Sequence, residues 1–426
     1  MRNSKTLIAG FQCGDYDEKL KEIYLDEGVL DYQKKRYIEA LNHYEALFGE
    51  DEVSIYSAPG RSEVGGNHTD HQHGKVLAAS INLDALAVAG KNQEHCIKVV
   101  SDGYDMSVVP LDDLEKKKNE AGTSTGLIRG VLAGLKSRGY LLGGCCLYVT
   151  SDVLIGAGLS SSAAFETILG TVISGMFNDM KISPAEIAQI GQFAENFYFE
   201  KPCGLMDQMA CSVGGMIAID FQEPEQPVVK KLKTDFEKYR YSLCIVDTKG
   251  SHEDLTEDYA MIPLEMKAAA GYFGQEVLRA VEEKDLYLHL ADMRRELGDR
   301  PVLRAIHFFE ENRRVEKQTK ALEEGAFETF LELVKDSGNS SFKYLQNVYT
   351  NHEVQNQSIS VGLAVSESIL MGHGVCRVHG GGFAGTIQAF VDNDFVDSYK
   401  QVTDRVFGEG ACHILKVRKY GGIKVL

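Results

Sequence analysis

Tryptophan is absent from the 426 residues, and so is any apolar run approaching the length of a membrane span. The first absence carries little functional information; the second argues against a membrane-spanning helix. The leading residues Met1-Arg2-Asn3-Ser4-Lys5 are not followed by a long apolar stretch, so no signal peptide is expected. Positive charge is in short supply: 45 Lys and Arg against 62 Asp and Glu leave a formal charge of −17. That balance disfavours a general nucleic-acid binder or an anionic-membrane binder, because backbone or headgroup phosphates would be repelled. Zinc-ligand spacing is missing as well. The nine cysteines are odd in number and mostly isolated in apolar surroundings; Cys145-Cys146 are adjacent, and Cys203 and Cys211 are eight apart. They read as reduced core thiols of a cytoplasmic protein. There is no internal repeat and no low-complexity tract, and nothing points to an obligate protein partner.

What remains is a chain long enough for two domains, each with its own core. Residues 1–50 form a helical lead-in, with an amphipathic stretch at Tyr37, Leu41, Tyr44 and Leu47. Strand-like runs follow at 53–56, 76–90 and 97–101, and a helix near 124–138 stops at Gly139. Ser183-Pro184-Ala185-Glu186 is a capping box with proline at the first helical position, which predicts a helix to about Phe199. Residues 214–220 read as a turn into a strand. A polar, proline-containing segment from Phe221 to Pro227 marks the division into domains 1–222 and 223–426. Beyond it come a strand at 241–247, long helical patterns from Pro263 to Met371, and strands at 375–379, 386–391 and 411–417. Strands and helices interleave without a regular βαβ rhythm, so the fold class is α+β.

Four segments carry candidate chemistry. Gly156-Ala157-Gly158-Leu159-Ser160-Ser161-Ser162-Ala163 lies between a β-type run and a helical pattern. Small residues and first-turn amides there suit phosphate, and the hydroxyls suit phosphate or magnesium; a plain capping loop would read the same way. Residues 58–74, from Ala58-Pro59-Gly60-Arg61 through Asn67-His68-Thr69-Asp70-His71-Gln72-His73, look like a polyol-binding loop between two strands. A metal reading of His68, Asp70, His71 and His73 lacks a recognised helical ligand spacing. Cys203-Gly204-Leu205-Met206-Asp207-Gln208 places a carboxylate in an apolar stretch, either as a helix cap or as a functional group. Finally, His379-Gly380-Gly381-Gly382-Phe383 joins two strands, where consecutive glycines point to close backbone approach.

Taken in order, these segments resemble the motifs of the GHMP small-molecule kinases, and within them those of galactokinases. Residues 58–71 are similar to APGR-x-N-[LI]-I-G-E-H-T-D-Y, residues 158–163 to the phosphate loop, 203–208 to CGIMDQ, and 380–383 to the C-terminal GGGFGG. His252 and Tyr259 also match the family's spacing near the sugar. The resemblance implies an N-terminal domain like ribosomal protein S5 domain 2, a ferredoxin-like C-terminal domain, and an active site between them. It implies ATP-dependent phosphorylation of the anomeric hydroxyl of galactose, giving galactose 1-phosphate, with Mg2+ and ATP as the required small molecules. By position, Asp207 is the implied catalytic base and Arg61 its charge-stabilising partner. Gly156, Gly158, Leu159, Ser160, Ser161 and Ser162 would hold the nucleotide phosphates, and Ser161 with Glu195 the magnesium. Asn67, His68, Asp70, Gly204 and Tyr259 would meet the sugar.

The departures from the family pattern also fall at the sugar positions. Asn67 stands where galactokinases carry Glu, Glu63 where they carry Asn, and His71 where they carry Tyr. The first of these is expected at the C6 end of the sugar, where a neutral amide would suit a uronic acid. Galacturonokinases are also non-acidic there and share a His-x-Asp-His-Gln run, so a kinase for galacturonate or another galactose-like sugar is the alternative. A non-catalytic sugar sensor is the other class, disfavoured because the serine loop, Asp207 and Arg61 are all present.

Overall fold

A computed structural model describes residues 1–154, 156, 158–234, 236–250 and 255–426. The lead-in is helical, as its amphipathic pattern predicts: α1 (Ser4–Cys13), α2 (Asp17–Tyr24) and α3 (Leu30–Phe48), preceded by a short strand β1 (Arg2–Asn3). Six strands follow: β2 (Glu52–Gly65), β3 (Lys75–Lys91), β4 (Cys96–Ser101), β5 (Ser107–Pro110), β6 (Cys145–Ser151) and β7 (Met216–Asp220). Interleaved with them are α4 (Ser124–Ser137), α5 (Ser161–Phe177), α6 (Pro184–Phe193) and α7 (Met206–Val213). Strand β8 (Val228–Leu232) pairs with β7, so the polar segment at 221–227 lies between two strands of one sheet.

In this first sheet the order is β1-β2-β3-β6-β4-β5, with β7 and β8 continuing from the far end of β3. Its pairs are antiparallel except β4 with β6. Strand β3 is apolar along nearly its whole length because both of its faces are covered. Leu77, Ala79, Ala87 and Ala89 face the layer that contains α4 and α5. Leu86 and Val88 face the lead-in, packed with Leu7, Phe11, Tyr37 and Leu41. Burying each large apolar side chain contributes about 1.5–3 kcal/mol, so the lead-in is a full second layer of the sheet.

The second half holds β9 (Tyr241–Asp247), β10 (Gly374–Val378), β11 (Thr386–Asp392) and β12 (Cys412–Leu415), all antiparallel in the order β10-β11-β9-β12. Its helices are α8 (Phe236–Tyr239), α9 (Thr256–Tyr272), α10 (Glu283–Leu288), α11 (Leu290–Leu297), α12 (Asp299–Glu324), α13 (Phe327–Ser340), α14 (Ser358–Leu370) and α15 (Val396–Phe407). Read from the opposite edge, the sheet runs fourth, first, third, second in a β-α-β-β-α-β sequence, which is the ferredoxin-like arrangement. A last strand, β13 (Ile423–Lys424), leaves this unit and pairs with β2 in the first sheet. No helix among the described residues is long and apolar enough to cross a membrane.

Candidate active site

Residues 58–65 are not a loop. Strand β2 continues through Ala58-Pro59-Gly60-Arg61 to Gly65, with register shifts at Pro59/Arg61 and Glu63/Gly65 that absorb the proline and re-aim the side chains. Arg61 therefore sits on a rigid element. Only residues 66–74 form the turn, built on a short 3-10 segment at Asp70–Gln72 with His68 and His73 in left-handed conformations.

The serine loop docks against β2 at Gly60. Arg61 N donates to Leu159 O at 3.1 Å, and a Cβ at position 60 would lie 2.8 Å from that same carbonyl oxygen, so only glycine admits the loop this closely. Helix α5 begins at Ser161, after Ser160 takes a left-handed turn (φ 58°). That turn aims Ser160 Oγ at Asp207, to which it donates a hydrogen bond. Of the loop's other residues, Gly156 and Gly158 have positive φ and Leu159 is fully buried beneath the turn; Ala157 lies outside the described residues.

Asp207 lies in the first turn of α7 and is met in bidentate fashion by Arg61: Nε to Oδ1 at 2.7 Å and Nη2 to Oδ2 at 2.6 Å. The third guanidinium nitrogen donates to Gly158 O, so one side chain ties the loop to the carboxylate. Burial alone would push the Asp207 carboxyl upward; the Arg61 charge and its hydrogen bonds override this and hold it below the usual carboxylate range. Asp207 is thus ionised, oriented and partly open to solvent.

Glu195 lies on a π-helical turn, Ala194–Phe199, that extends α6 beyond the capping box's helix. The hydroxyl that reaches it is that of Ser162, at 3.0 Å, and not that of Ser161. Ser162 follows the first residue of α5, about 100° round the helix, and so turns its hydroxyl to the π-helical turn that carries Glu195; the expected pairing of Ser161 with Glu195 concerns a bound magnesium rather than this bond. Gln208 Nε2 donates to Glu195 at 2.8 Å and to Glu166 at 3.1 Å, bridging the two carboxyl groups. Burial, and then the Glu195 charge, push the Glu166 carboxyl well above its ordinary range. Neither Glu166 nor Gln208 carries a motif signal of its own. Ser162 and Glu195 offer hard oxygen ligands. Among the described residues no three His, Cys, Asp or Glu side chains gather into a metal cage. Two protein oxygens nonetheless fit a magnesium ion that keeps water and phosphate oxygens in its remaining positions. The same finding leaves the His68, Asp70, His71 and His73 set without metal-binding geometry.

Around the positions expected to meet the sugar, the glycine run at 380–382 crosses the turn at 66–74. His68 Nε2 lies 3.0 Å from Gly381 O, and Tyr259 OH donates to Gly382 O at 2.8 Å. Gly204 faces Asp70 so closely that a Cβ there would strike the Asp70 carboxylate. His252 lies outside the described residues. Burial, chiefly, pushes the His68 imidazole down to about 4.

Asn67 departs from expectation. It is completely buried, and its amide is spent inside the protein: Nδ2 donates to Glu63 Oε1 at 3.0 Å and Gly380 O at 2.8 Å, while Oδ1 accepts from Asn347 at 2.9 Å and Ser341 at 3.2 Å. With every donor and acceptor filled, it supports the pocket rather than facing a sugar. The two departures at 63 and 67 touch one another: relative to the galactokinase pattern, an acid and an amide are exchanged across this hydrogen bond. The relocated carboxylate at Glu63 meets Arg377 Nη2 at 2.9 Å, and burial still pushes it up to about 7.

Strands β10 and β11 brace this region from behind. Arg377 also donates to Val64 O at 2.8 Å, Gln388 donates to Ser62 Oγ at 2.7 Å and Glu63 O at 2.8 Å, and His379 Nε2 lies 3.1 Å from Ser62 Oγ. The second sheet therefore grips β2 at the residues flanking Arg61. Of these braces only His379 lies in a motif read from sequence. A separate apolar cavity, of about 640 Å3, involves Met216, Leu232, Phe236 and Leu415 and shares no lining residue with this constellation.

Residues 42–91 match the galactokinase galactose-binding signature, and residues 126–215 match the GHMP kinases N-terminal domain. The galactokinase of Streptomyces coelicolor is 27% identical over 369 residues, covering 85% of this chain and 91% of that protein. That of Glaesserella parasuis is 28% identical over 367 residues, covering 84% and 90%. The crystal structure of Lactococcus lactis galactokinase complexed with galactose has the same fold, with a TM-score of 0.75 at 23% identity over 90% of this chain and 98% of that one. Methanococcus jannaschii mevalonate kinase follows at 0.61 and 16% identity, over 86% and 98%. Across most of its length the chain is similar in sequence to galactokinases, and it has the fold shared by the GHMP kinases.

Proposed function

We propose that the protein transfers the γ-phosphoryl group of ATP to the anomeric hydroxyl of galactose, giving galactose 1-phosphate and ADP. The observation that carries this reading is the Arg61–Asp207 pair tied directly to the serine loop through Ser160 and Gly158. An acceptor hydroxyl beside Asp207 would lie next to the phosphates that this loop is built to hold.

In the reaction, the anomeric oxygen bonds to the γ-phosphorus as the bond from that phosphorus to the β,γ-bridging oxygen breaks. The hydroxyl proton passes to Asp207, and the electron pair of the broken bond leaves with ADP. An Asp held at low pKa is a weak base, which suits a loose transition state in which positioning precedes proton loss. Arg61 keeps Asp207 ionised and lends positive charge to the developing alkoxide. Residues 156–162 orient the phosphates by backbone amides and hydroxyls. Ser162 and Glu195 would hold magnesium, which when bound offsets charge on the phosphate oxygens. His68, Asp70, Gly204 and Tyr259 are the proposed sugar contacts, with Asn67 acting through the turn it braces. The nine cysteines, none of them in a disulfide, support work in a reducing compartment such as the cytoplasm.

The Glu63–Asn67 exchange favours a second reading, in which the acceptor is galacturonate. Moving the acid from 67 to 63 pairs it with Arg377, so the turn that carries the proposed sugar contacts rests on a neutral amide, which lowers the through-space repulsion a charged C6 would meet there. ATP-coupled turnover with galactose and galacturonate side by side tests both. Galactose turnover that is lost in Asp207→Asn supports the leading reading; turnover with galacturonate alone overturns its substrate. Turnover with neither, alongside tight sugar binding, would point to a sensor.

A further inference from the structure

Lys201 is not accounted for by the roles assigned above. At the end of the π-helical turn Glu200 takes a left-handed conformation (φ 64°), and Lys201 N folds back to donate to Glu195 O at 3.1 Å. This reversal lays the lysine side chain over the Glu195 carboxylate. Nζ lies 2.9 Å from Oε1, the same oxygen that Ser162 Oγ reaches. The Lys201 side chain is 59% exposed and that of Glu195 only 3%. A pair so open on the lysine side contributes little to stability. Glu195 would also keep Ser162 and Gln208 as partners without it.

The local charge gives the lysine another purpose. Asp207, Glu195 and Glu166 stand close together, and a polyphosphate must approach them. Arg61 is committed to Asp207 through two nitrogens and to Gly158 through the third. Lys201 also bears on Asp207, whose carboxyl its charge helps to hold down. A compact ammonium on a flexible four-carbon stem, beside the serine loop and free to turn into solvent, can follow a moving phosphate as a fixed guanidinium cannot.

We propose that Lys201 is a mobile phosphate-binding cation. It neutralises Glu195 while no nucleotide is bound, yields that carboxylate when a metal–nucleotide arrives, and contacts the terminal phosphate oxygens through transfer. This rests on reading the serine loop as the nucleotide site.

Lys201→Met keeps the stem and removes the charge; Lys201→Arg keeps the charge. Calorimetric titration with a non-hydrolysable ATP analogue, with ADP and with AMP, each with magnesium and with chelator, reads binding without turnover. Lys201→Met is expected to weaken the ATP analogue roughly tenfold, to leave AMP unchanged, and to lower the magnesium concentration needed for half-maximal binding. Turnover should fall roughly 10²-fold at unchanged sugar KM, with partial recovery in Lys201→Arg. Equal affinity of wild type and Lys201→Met for the ATP analogue overturns the proposal, as does an equal loss for all three nucleotides. Should Lys201→Met not fold, Lys201→Gln carries the same comparison. Phosphate-dependent losses in a protein that turns over no sugar would leave this proposal standing and defeat the galactose reading; normal turnover in Lys201→Met does the reverse.

Discussion

Arg61 meets Asp207 edge to edge, with two parallel N–H···O contacts of 2.7 and 2.6 Å, and the two side chains act as one unit. Asp207→Asn is expected to cut turnover roughly 10²–10⁴-fold with nucleotide binding intact. Because the Asp207 carboxyl is held below its ordinary range, the acid limb of kcat/KM that it sets should fall below about pH 3.9. Replacing Arg61 by Met leaves burial as the dominant influence and should move that limb upward. A pH–rate profile of each variant checks both statements. The linked stability is present above the unfolded pKa and is lost as pH falls through the depressed folded value.

Gly204→Ala would drive a methyl group into the Asp70 carboxylate. Asp70 must then shift, and sugar KM should rise roughly tenfold or more. The ATP KM should stay the same, because the serine loop is untouched. Initial-rate kinetics with each substrate varied in turn separates the two constants.

Asn67→Glu alone sets a second carboxylate against Glu63 in a fully buried site. A loss of roughly 3–5 kcal/mol is expected from such an uncompensated charge. The double variant Glu63→Asn/Asn67→Glu restores the hydrogen bond in the opposite sense and should recover part of that loss. Denaturant unfolding of wild type, Asn67→Glu, Glu63→Asn and the double variant closes the cycle. Additive losses would show that the two positions are not coupled.

His68 is half-buried and its imidazole lies at about 4, against about 6.5 in an unfolded chain. Between these values the unfolded state binds the extra proton, so stability rises with pH from about 4 to 6.5 and is lost as pH falls through that window. His68→Gln should flatten this part of the stability profile. Thermal unfolding at pH 5 and pH 7.5 measures the difference.

Arg36 of α3 reaches across to Asp84 at 2.6 Å and to Asp152 at 3.0 Å, just upstream of the serine loop. Arg36→Met leaves Asp84 with Arg418 alone among its charged partners, and a cost of roughly 3–5 kcal/mol is expected for opening this buried cluster. A shift in the unfolding midpoint without loss of the apolar lead-in packing would identify the charge as its cause.

The capping box, the strand positions and the helix after the serine loop were legible because their signals are local. Glu186 N does bond to Ser183 Oγ at 3.2 Å, and the helix begins where the proline predicts. Glu195, Asp207 and Arg61 were placed by the family resemblance. The serine nearest Glu195 could not be read, since it depends on the residue at which α5 starts. Asn67 was misjudged because its partners, Asn347, Ser341 and Gly380, are hundreds of residues away. Arg377 and Gln388 gave no sign for the same reason: each acts on β2 from the other sheet. The role of the lead-in was hidden too, because a strand apolar on both faces says that it is covered without saying by what.

Strand β13 and the residues before it bear on how the protein comes into being. Arg418 is fully buried against Asp84, and Val425 N donates to Ile55 O at 2.7 Å, so the first sheet is closed by a segment that follows the entire ferredoxin-like unit in the chain. As a nascent polypeptide leaves the ribosome, β2 must therefore wait with part of its backbone unpaired while the whole stretch from Gly65 to Ile423 is made. The amino-terminal half cannot mature vectorially, and an exposed strand edge in the meantime is a surface that chaperones would have reason to shield.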